Sequence, residues 1–401
     1  MGPAWHSKAA PKLRIFIFLA IVLSIIAGVH AYFWVRLVRD TQLPPPYRVW
    51  ATAAILVLAA CLPLPLILGR RLDPSVARFF AWPSYIWMGL MFLLLVLLLV
   101  GDVVRLLTVA SSAVAGQGPI DPARRTVVAR ILGALAGGTA GLFGALGVGQ
   151  ALRPLFVREL EIPIARLPAA SDGTTIVQIT DVHIGATIGR GFVEEMVRKV
   201  NALYPDLIAI TGDLVDGSVD RLWDAVTPLG DLRAKKGIYF VTGNHEYFSG
   251  VDQWLQALPR LGIRVLANER VPIDGPDGAG FDLAGVHDHR GGRTGGPGAD
   301  VDRALAGRDP ERAVVLLAHQ PRDVFDADRL DVDLQLSGHT HGGQIWPFRY
   351  FVGLDQPYVE GLHRHGRTQI YVSPGTGYWG PPMRLLTRAE ITRVTLRRGQ
   401  A

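Results

Sequence analysis

The stretch Asp333-Leu-Gln-Leu-Ser-Gly-His-Thr-His-Gly-Gly-Gln344 decides how this chain is read. Leu334, Leu336 and Ser337 form the short run that a buried β-strand needs, and Gly338 breaks it where His339 and His341 begin. Histidines two apart in an extended segment face the same side, so both imidazoles can converge on one spot. Converging nitrogen donors at a strand end point to a metal site. A pair of surface-loop histidines would satisfy the same residues. What separates the readings is that other apolar strands upstream also end in ligand chemistry.

Thr175-Ile-Val-Gln-Ile-Thr180 delivers Asp181-Val-His183, an oxygen and a nitrogen donor on one face. A helix follows over 191–203, with Phe192, Met196 and Val200 as its apolar face. Leu207-Ile-Ala-Ile-Thr211 ends in Gly212-Asp213, with Asp216 three residues on, and Asp213 can bridge two cations through its two oxygens. Gly237-Ile-Tyr-Phe-Val-Thr242 ends in Gly243-Asn244-His245-Glu246, where Asn244 offers a neutral oxygen ligand and His245 lies within reach of whatever the metals bind. Ala313-Val-Val-Leu-Leu-Ala318 ends in His319. Alternating strands and helices predict an α/β domain, which places its site at the carboxyl ends of the strands. The donors are Asp181, His183, Asp213, Asn244, His319, His339 and His341. They exceed the needs of one tetrahedral zinc and fit two cations sharing a carboxylate. Such a pair suits phosphoester hydrolysis, because it polarises the phosphoryl oxygens and deprotonates a bridging water for in-line attack.

These blocks, Asp181-x-His183, Gly212-Asp213-x-x-Asp216, Gly243-Asn244-His245-Glu246, His319 and Gly338-His339-x-His341, resemble the signature of the calcineurin-like metallophosphoesterase family over residues 173 to 395. The segment 171–181, the Gly-His-Thr-His-Gly-Gly-Gln block and Val372-Ser-Pro-Gly-Thr-Gly377 are most similar to its bacterial branch of membrane-associated phosphodiesterases, which includes enzymes cleaving a uridine-diphosphate-linked lipid A precursor. The resemblance implies a four-layer αββα sandwich. It further implies a first metal on Asp181, His183, Asp213 and His341, and a second on Asp213, Asn244, His319 and His339. His245 would protonate the leaving oxygen, oriented by Asp216. Mn, Fe and Zn all suit these donors. Pro374 stands where close relatives would carry arginine or a similar residue, which bears on substrate contacts.

Hydrophobic residues make up 49% of the chain, and the first 150 residues hold nearly all the excess. Four membrane spans are expected: Ile15 to Val35, Val49 to Leu68 kinked at Pro63 and Pro65, Trp82 to Val100, and Ile131 to Leu152. Gly133, Gly137 and Gly141 give the last a small face for close helix contact. The domains are therefore drawn as a multi-pass helical domain over 1–158 and a metallophosphoesterase domain over 159–401. Lysines and arginines near the spans number eight on one side and seven on the other, which sets no orientation. Arg124-Arg125 before an apolar stretch reads equally as a plain basic flank of the fourth span or as similar to a twin-arginine export signal, and the second reading favours a catalytic domain on the extracytoplasmic side. Arginines flanking apolar runs account for much of the net charge of +6, and no nucleic-acid partner is expected. The single cysteine, Cys61, excludes an intrachain disulfide.

The function expected is metal-dependent hydrolysis of a phosphodiester or pyrophosphate, on a lipid-linked substrate met at the bilayer. The alternative is a membrane receptor or transporter accessory that binds metal or phosphate without turnover. Elsewhere, His287 and His289 are read as surface residues, and Trp379 with Tyr378, Pro381 and Pro382 as packing or an apolar lip beside the site. The sequence sets no oligomeric state.

Overall fold

The computed structural model describes residues 10–65, 74–116, 121–275, 278–294 and 296–399. The chain forms two compact units, Met1–Ala145 and Leu146–Ala401.

The first unit is helical. Among the described residues three helices are long and apolar enough to cross a membrane, over Phe16–Arg39, Val76–Val114 and Pro122–Ala151. The span expected over 49–68 is a shorter helix, Pro45–Cys61, of 17 residues. It ends at Cys61, ahead of Pro63, which has no N–H to give to the preceding turn, and helix resumes over 64–65; residues 66–68 lie outside the described part. Large apolar side chains such as Phe16, Trp50 and Leu106 stay exposed, an arrangement suited to lipid rather than water. Charges pair: Arg36 lies 2.8 Å from both Asp40 and Asp102, and the Tyr32 hydroxyl donates to Asp102 at 2.7 Å. The glycine face is used less than expected. Within the described residues an added Cβ at Gly133 would touch Leu37, whereas Gly137 and Gly141 have open space.

The second unit holds two six-stranded sheets. The first runs in the order β1 (Phe156–Ile164), β12 (Glu390–Arg398), β2 (Thr175–Ile179), β3 (Leu207–Thr211), β4 (Ile238–Val241), β5 (Ile263–Val265). The second runs β10 (Gly361–His365), β11 (Thr368–Val372), β9 (Leu334–Ser337), β8 (Val314–Leu317), β7 (Gly280–Gly285), β6 (Glu269–Asp274). The strands β2 to β5 are mutually parallel, as are β7, β8, β9 and β11. Parallel strands buried on both faces need continuous apolar runs, and β3 and β8 are buried at every residue.

Alternation along each strand builds the layers. Leu207 and Ala209 of β3 face the second sheet, meeting Val315 and Leu317 of β8 and Leu334 and Leu336 of β9. Ile208 and Ile210 face outward onto helices, against Val193, Met196, Val197 and Val200 of Arg190–Asn201 and the buried Trp254. On the far side, Val314 and Leu316 pack against Val301, Ala304 and Ala327. The result is helix, sheet, sheet, helix: the expected αββα sandwich. Each fully buried aliphatic side chain in these faces contributes roughly 1.5–3 kcal/mol.

Candidate metal centre

Because β2, β3, β4, β8 and β9 run parallel within their sheets, their carboxyl ends bring five loops to one edge of the sandwich. Two clusters form there. In one, Asp181, His183 and His341 gather, with His183 Nε2 3.0 Å from His341 Nε2 and His341 Nε2 3.4 Å from Asp181 Oδ1. In the other, His319 Nε2 lies 3.2 Å from His339 Nδ1 and 3.2 Å from Asp213 Oδ2. Asp213 Oδ2 is also 3.9 Å from His183 Nε2, so this carboxylate joins the two clusters. Six of the seven donors anticipated from the strand ends thus come together, and the seventh, Asn244, starts the helix Asn244–Ser249, whose His245 N–H donates to Asp213 Oδ1 at 2.8 Å.

The backbone is forced into place. Asp181, His183, Asp213, His339 and His341 all have φ between 50° and 72°, a left-handed region that costs non-glycine residues energy. Hydrogen bonds between the loops over-determine these conformations. Asp181 N donates to Gly212 O at 3.0 Å, His183 N to Asp213 O at 3.1 Å, and His339 N to the Asp181 carboxylate at 3.0 Å. Gly338 permits the closest approach: a Cβ there would fall 2.1 Å from Asp181 Oδ2.

The donor set fits metal. Asn244 Oδ1 is buried without a hydrogen-bond partner, a costly state for an amide oxygen that ligation would relieve. His319 Nδ1 bonds Thr211 O at 2.8 Å, which fixes the ring and leaves Nε2 free for a metal. Burial, with the neighbouring His319, pushes His339 down to about 3. Burial and the proximity of His183 likewise hold His341 well below the usual histidine range, so both rings are neutral, the form that ligates.

Beside the first cluster, Asp216 Oδ1 sits 3.0 Å from His183 Nδ1 and 2.7 Å from His245 Nδ1. Burial works against a charge on His245, but Asp213 and the hydrogen bond to Asp216 push it up to about 9. Burial opposes ionisation of Asp216 too, yet His183 and His245 hold it below the usual carboxylate range. Half-exposed Trp379 and exposed Phe248 stand edge-on to the His245 ring, each with centroids 5.7 Å away. Trp379 therefore forms a lip at the site, while Tyr378, Pro381 and Pro382 are buried packing.

Two contributors escaped the sequence reading. Glu246 is fully buried, and its carboxylate accepts from the backbone N–H of Gly243, Asp213 and Leu214 at 2.6, 3.0 and 2.8 Å, clamping the loop that aims Asp213. Burial first, then Asp213, raises it to about 7. Its place in the Gly-Asn-His-Glu block was visible, but backbone acceptance leaves no sequence signal. Arg384 is also fully buried and donates to the carbonyls of Pro374 and Gly377 at 2.8 and 2.5 Å. An arginine does reach the block containing Pro374, from ten residues along the chain. The reading of His287 and His289 as surface residues is corrected: His287 and Asp288 are buried, and His289 bonds buried Asp323 at 2.9 Å.

A two-sheet sandwich carrying two histidine–carboxylate clusters joined by one aspartate defines the dinuclear metallophosphoesterase class. Residues 174–343 match the family model for calcineurin-like phosphoesterases. The chain is 35% identical to the transmembrane protein with metallophosphoesterase domain of Danio rerio, over 95% of this chain and 89% of that protein. It is 43% identical to the Bos taurus protein of the same name, over 63% of this chain and 59% of that one. A metallophosphoesterase of Helicobacter pylori strain J99 is 40% identical, over 55% of this chain and 59% of its own length. The chain belongs to the calcineurin-like phosphoesterase family. Its relatives include vertebrate transmembrane proteins as well as bacterial ones. Their names and the three long apolar helices mark it as membrane-associated.

Proposed function

We propose that this chain is a membrane-embedded hydrolase that cleaves a phosphodiester or pyrophosphate on a lipid-linked substrate, with membrane helices in 1–158 and the hydrolase in 159–401. The observation that carries the reading is the position of Asp213 Oδ2, 3.2 Å from His319 Nε2 and 3.9 Å from His183 Nε2. Asp181, His183, Asp213 and His341 would hold one divalent cation, and Asp213, Asn244, His319 and His339 the other. Such a pair, of Mn, Fe or Zn, supplies Lewis acidity and an activated water when bound.

The chain's own residues do the rest. Asp216 fixes the tautomer and direction of both His183 and His245 through its single Oδ1. His245 keeps Nδ1 on Asp216 and turns the other face of its ring outward, where Nε2 can give a proton to the leaving oxygen. Glu246 holds the Asp213 loop rigid, so the shared carboxylate meets its ligands without reorganising. Trp379 and Phe248 shield one side of His245 from water. A tethered site meets lipid head groups at high effective concentration, which supports a lipid-linked substrate.

The test is turnover by the purified full chain, with Mn2+, of bis-p-nitrophenyl phosphate and of nucleotide-linked lipids. Equal turnover of soluble nucleotides would overturn the lipid preference. Two bound metals with no turnover of any phosphoester would favour the binding-only reading. The same reading puts the catalytic domain outside the cytoplasm, on the likeness of Arg124-Arg125 to an export signal; labelling of a cysteine introduced at Ser218 by an impermeant reagent in intact cells checks that side.

A further inference from the structure

The last turn of the helix Pro122–Ala151 does not end on a bare surface. Leu146 and Gln150 line a cavity of about 460 Å³ whose other walls are Arg153, Arg158, Glu360 and the segment Arg384–Arg388. Four guanidiniums face it against one carboxylate. Two are already engaged: Arg158 pairs with buried Glu390 at 2.7 Å, and Arg384 is saturated by backbone carbonyls. Arg153 and Arg388 are exposed, and neither makes an ion pair among the described residues. The Arg388 guanidinium lies over the Phe156 ring, 4.3 Å from its centroid, which holds it at the cavity without neutralising it.

The rim is apolar. Leu146 and Leu386 are 55% and 75% exposed, and Leu386 sits at φ 61°, a left-handed backbone that costs a leucine energy. An isolated β-bridge ties the neighbouring Leu385 to Ile345, and the segment after Ile345 exposes Phe348, Tyr350 and Phe351. Leucines and uncommitted arginines lining one cavity, with exposed aromatics on a segment bridged to it, are the composition of a bilayer interface.

We propose that this cavity binds the head group of an anionic phospholipid, with Arg153 and Arg388 as its charge partners and Leu146 and Leu386 against the acyl chains. Glu360 on the same wall disfavours a second anion and keeps the site to one head group. The site is separate from the metal centre but braced to it, because Thr387 and Arg384 both bond His341 O at 3.4 Å. The binding itself does not require hydrolysis.

The experiment uses the full chain in nanodiscs of phosphatidylcholine doped with phosphatidylglycerol, counting retained phosphatidylglycerol by native mass spectrometry after release into detergent. Wild type should retain it selectively over phosphatidylcholine. The pair Arg153→Gln and Arg388→Gln should weaken retention roughly thirtyfold, as expected for two basic groups at an anionic surface. Arg153→Lys with Arg388→Lys should keep most of it, with unchanged bound-metal content reporting an intact fold. Equal retention by the glutamine pair, or loss in a lysine pair that still carries its metals, would overturn the site. Displacement of the lipid by millimolar inorganic phosphate would assign the cavity to free phosphate instead and overturn the lipid. A chain that hydrolyses nothing can still pass this test, so the two proposals fail independently.

Discussion

Replacing Gly243 by alanine should disable the metal centre while leaving the sandwich folded. Gly243 sits at φ −100°, ψ −176°, extended backbone that alanine adopts freely, so the substitution acts through space alone. A Cβ there falls 2.2 Å from Asp213 Oδ1 and 2.4 Å from Asp213 N. To reach 3.4 Å, the near edge of ordinary contact, the carboxylate would have to retreat by about 1.2 Å. It cannot simply rotate away. Oδ1 accepts from His245 N at 2.8 Å, Oδ2 faces His319, and the Asp213 amide is held by Glu246. The strand end must therefore move as a piece. Overpacking of this kind costs about 1–3 kcal/mol of stability, and a 1 Å error at a shared ligand costs about 10²-fold in rate. The assay pairs metal content by mass spectrometry with turnover of bis-p-nitrophenyl phosphate. Gly191→Ala, where a Cβ meets nothing within 4 Å, serves as the neutral control. A Gly243→Ala protein with two metals and undiminished turnover would refute the argument that Asp213 tolerates no displacement.

Four further outcomes are expected. His245→Ala should leave both metals bound while lowering turnover by about 10² or more; unchanged activity would remove its role as proton donor. His319→Ala should halve the metal content of the purified protein, since only the second cluster loses a donor, and retention of both ions would separate His319 from that cluster. Arg384→Met should strip the donors from two buried carbonyls and cost about 2–6 kcal/mol, seen as a large fall in melting temperature, and Lys should rescue little because a single ammonium cannot span both acceptors. For the pair of His289 and buried Asp323, the hydrogen bond that the His289 ring donates to the Asp323 carboxylate raises the histidine against the lowering effect of burial. Its stabilisation is therefore complete below the unfolded value near pH 6.5 and disappears as pH rises through the higher folded value. The gap in melting temperature between wild type and His289→Gln should be widest at the acidic end and close as pH rises, and a gap independent of pH would exclude this pairing.

How much of this was legible in advance differs by residue. Asp181, His183, Asp213 and the two histidines after Gly338 could be read because each follows a short apolar run, and a strand fixes both the end at which its next residues emerge and the side they face. The αββα layering was legible only through the family resemblance; the apolar runs by themselves required no more than sheets covered on both faces. The second apolar segment differs in continuity: its helix is interrupted after Cys61, ahead of Pro63, where the sequence predicts a kink. Glu246 and Arg384 were opaque because each binds backbone groups, whose positions depend on how loops from different strands meet.

Ordering along the chain is therefore what the sequence by itself determined: which residue types stand at which strand ends, and which segments are too apolar for water. Only the tertiary structure decided that Asp213 reaches both histidine clusters, that five site residues bear left-handed backbone, and that Arg153 and Arg388 flank one cavity although more than two hundred residues separate them. The physical reason is that local patterns report burial and direction one element at a time. Distances of 3 to 4 Å between side chains from different loops are set by packing the two sheets together, a property of no single segment.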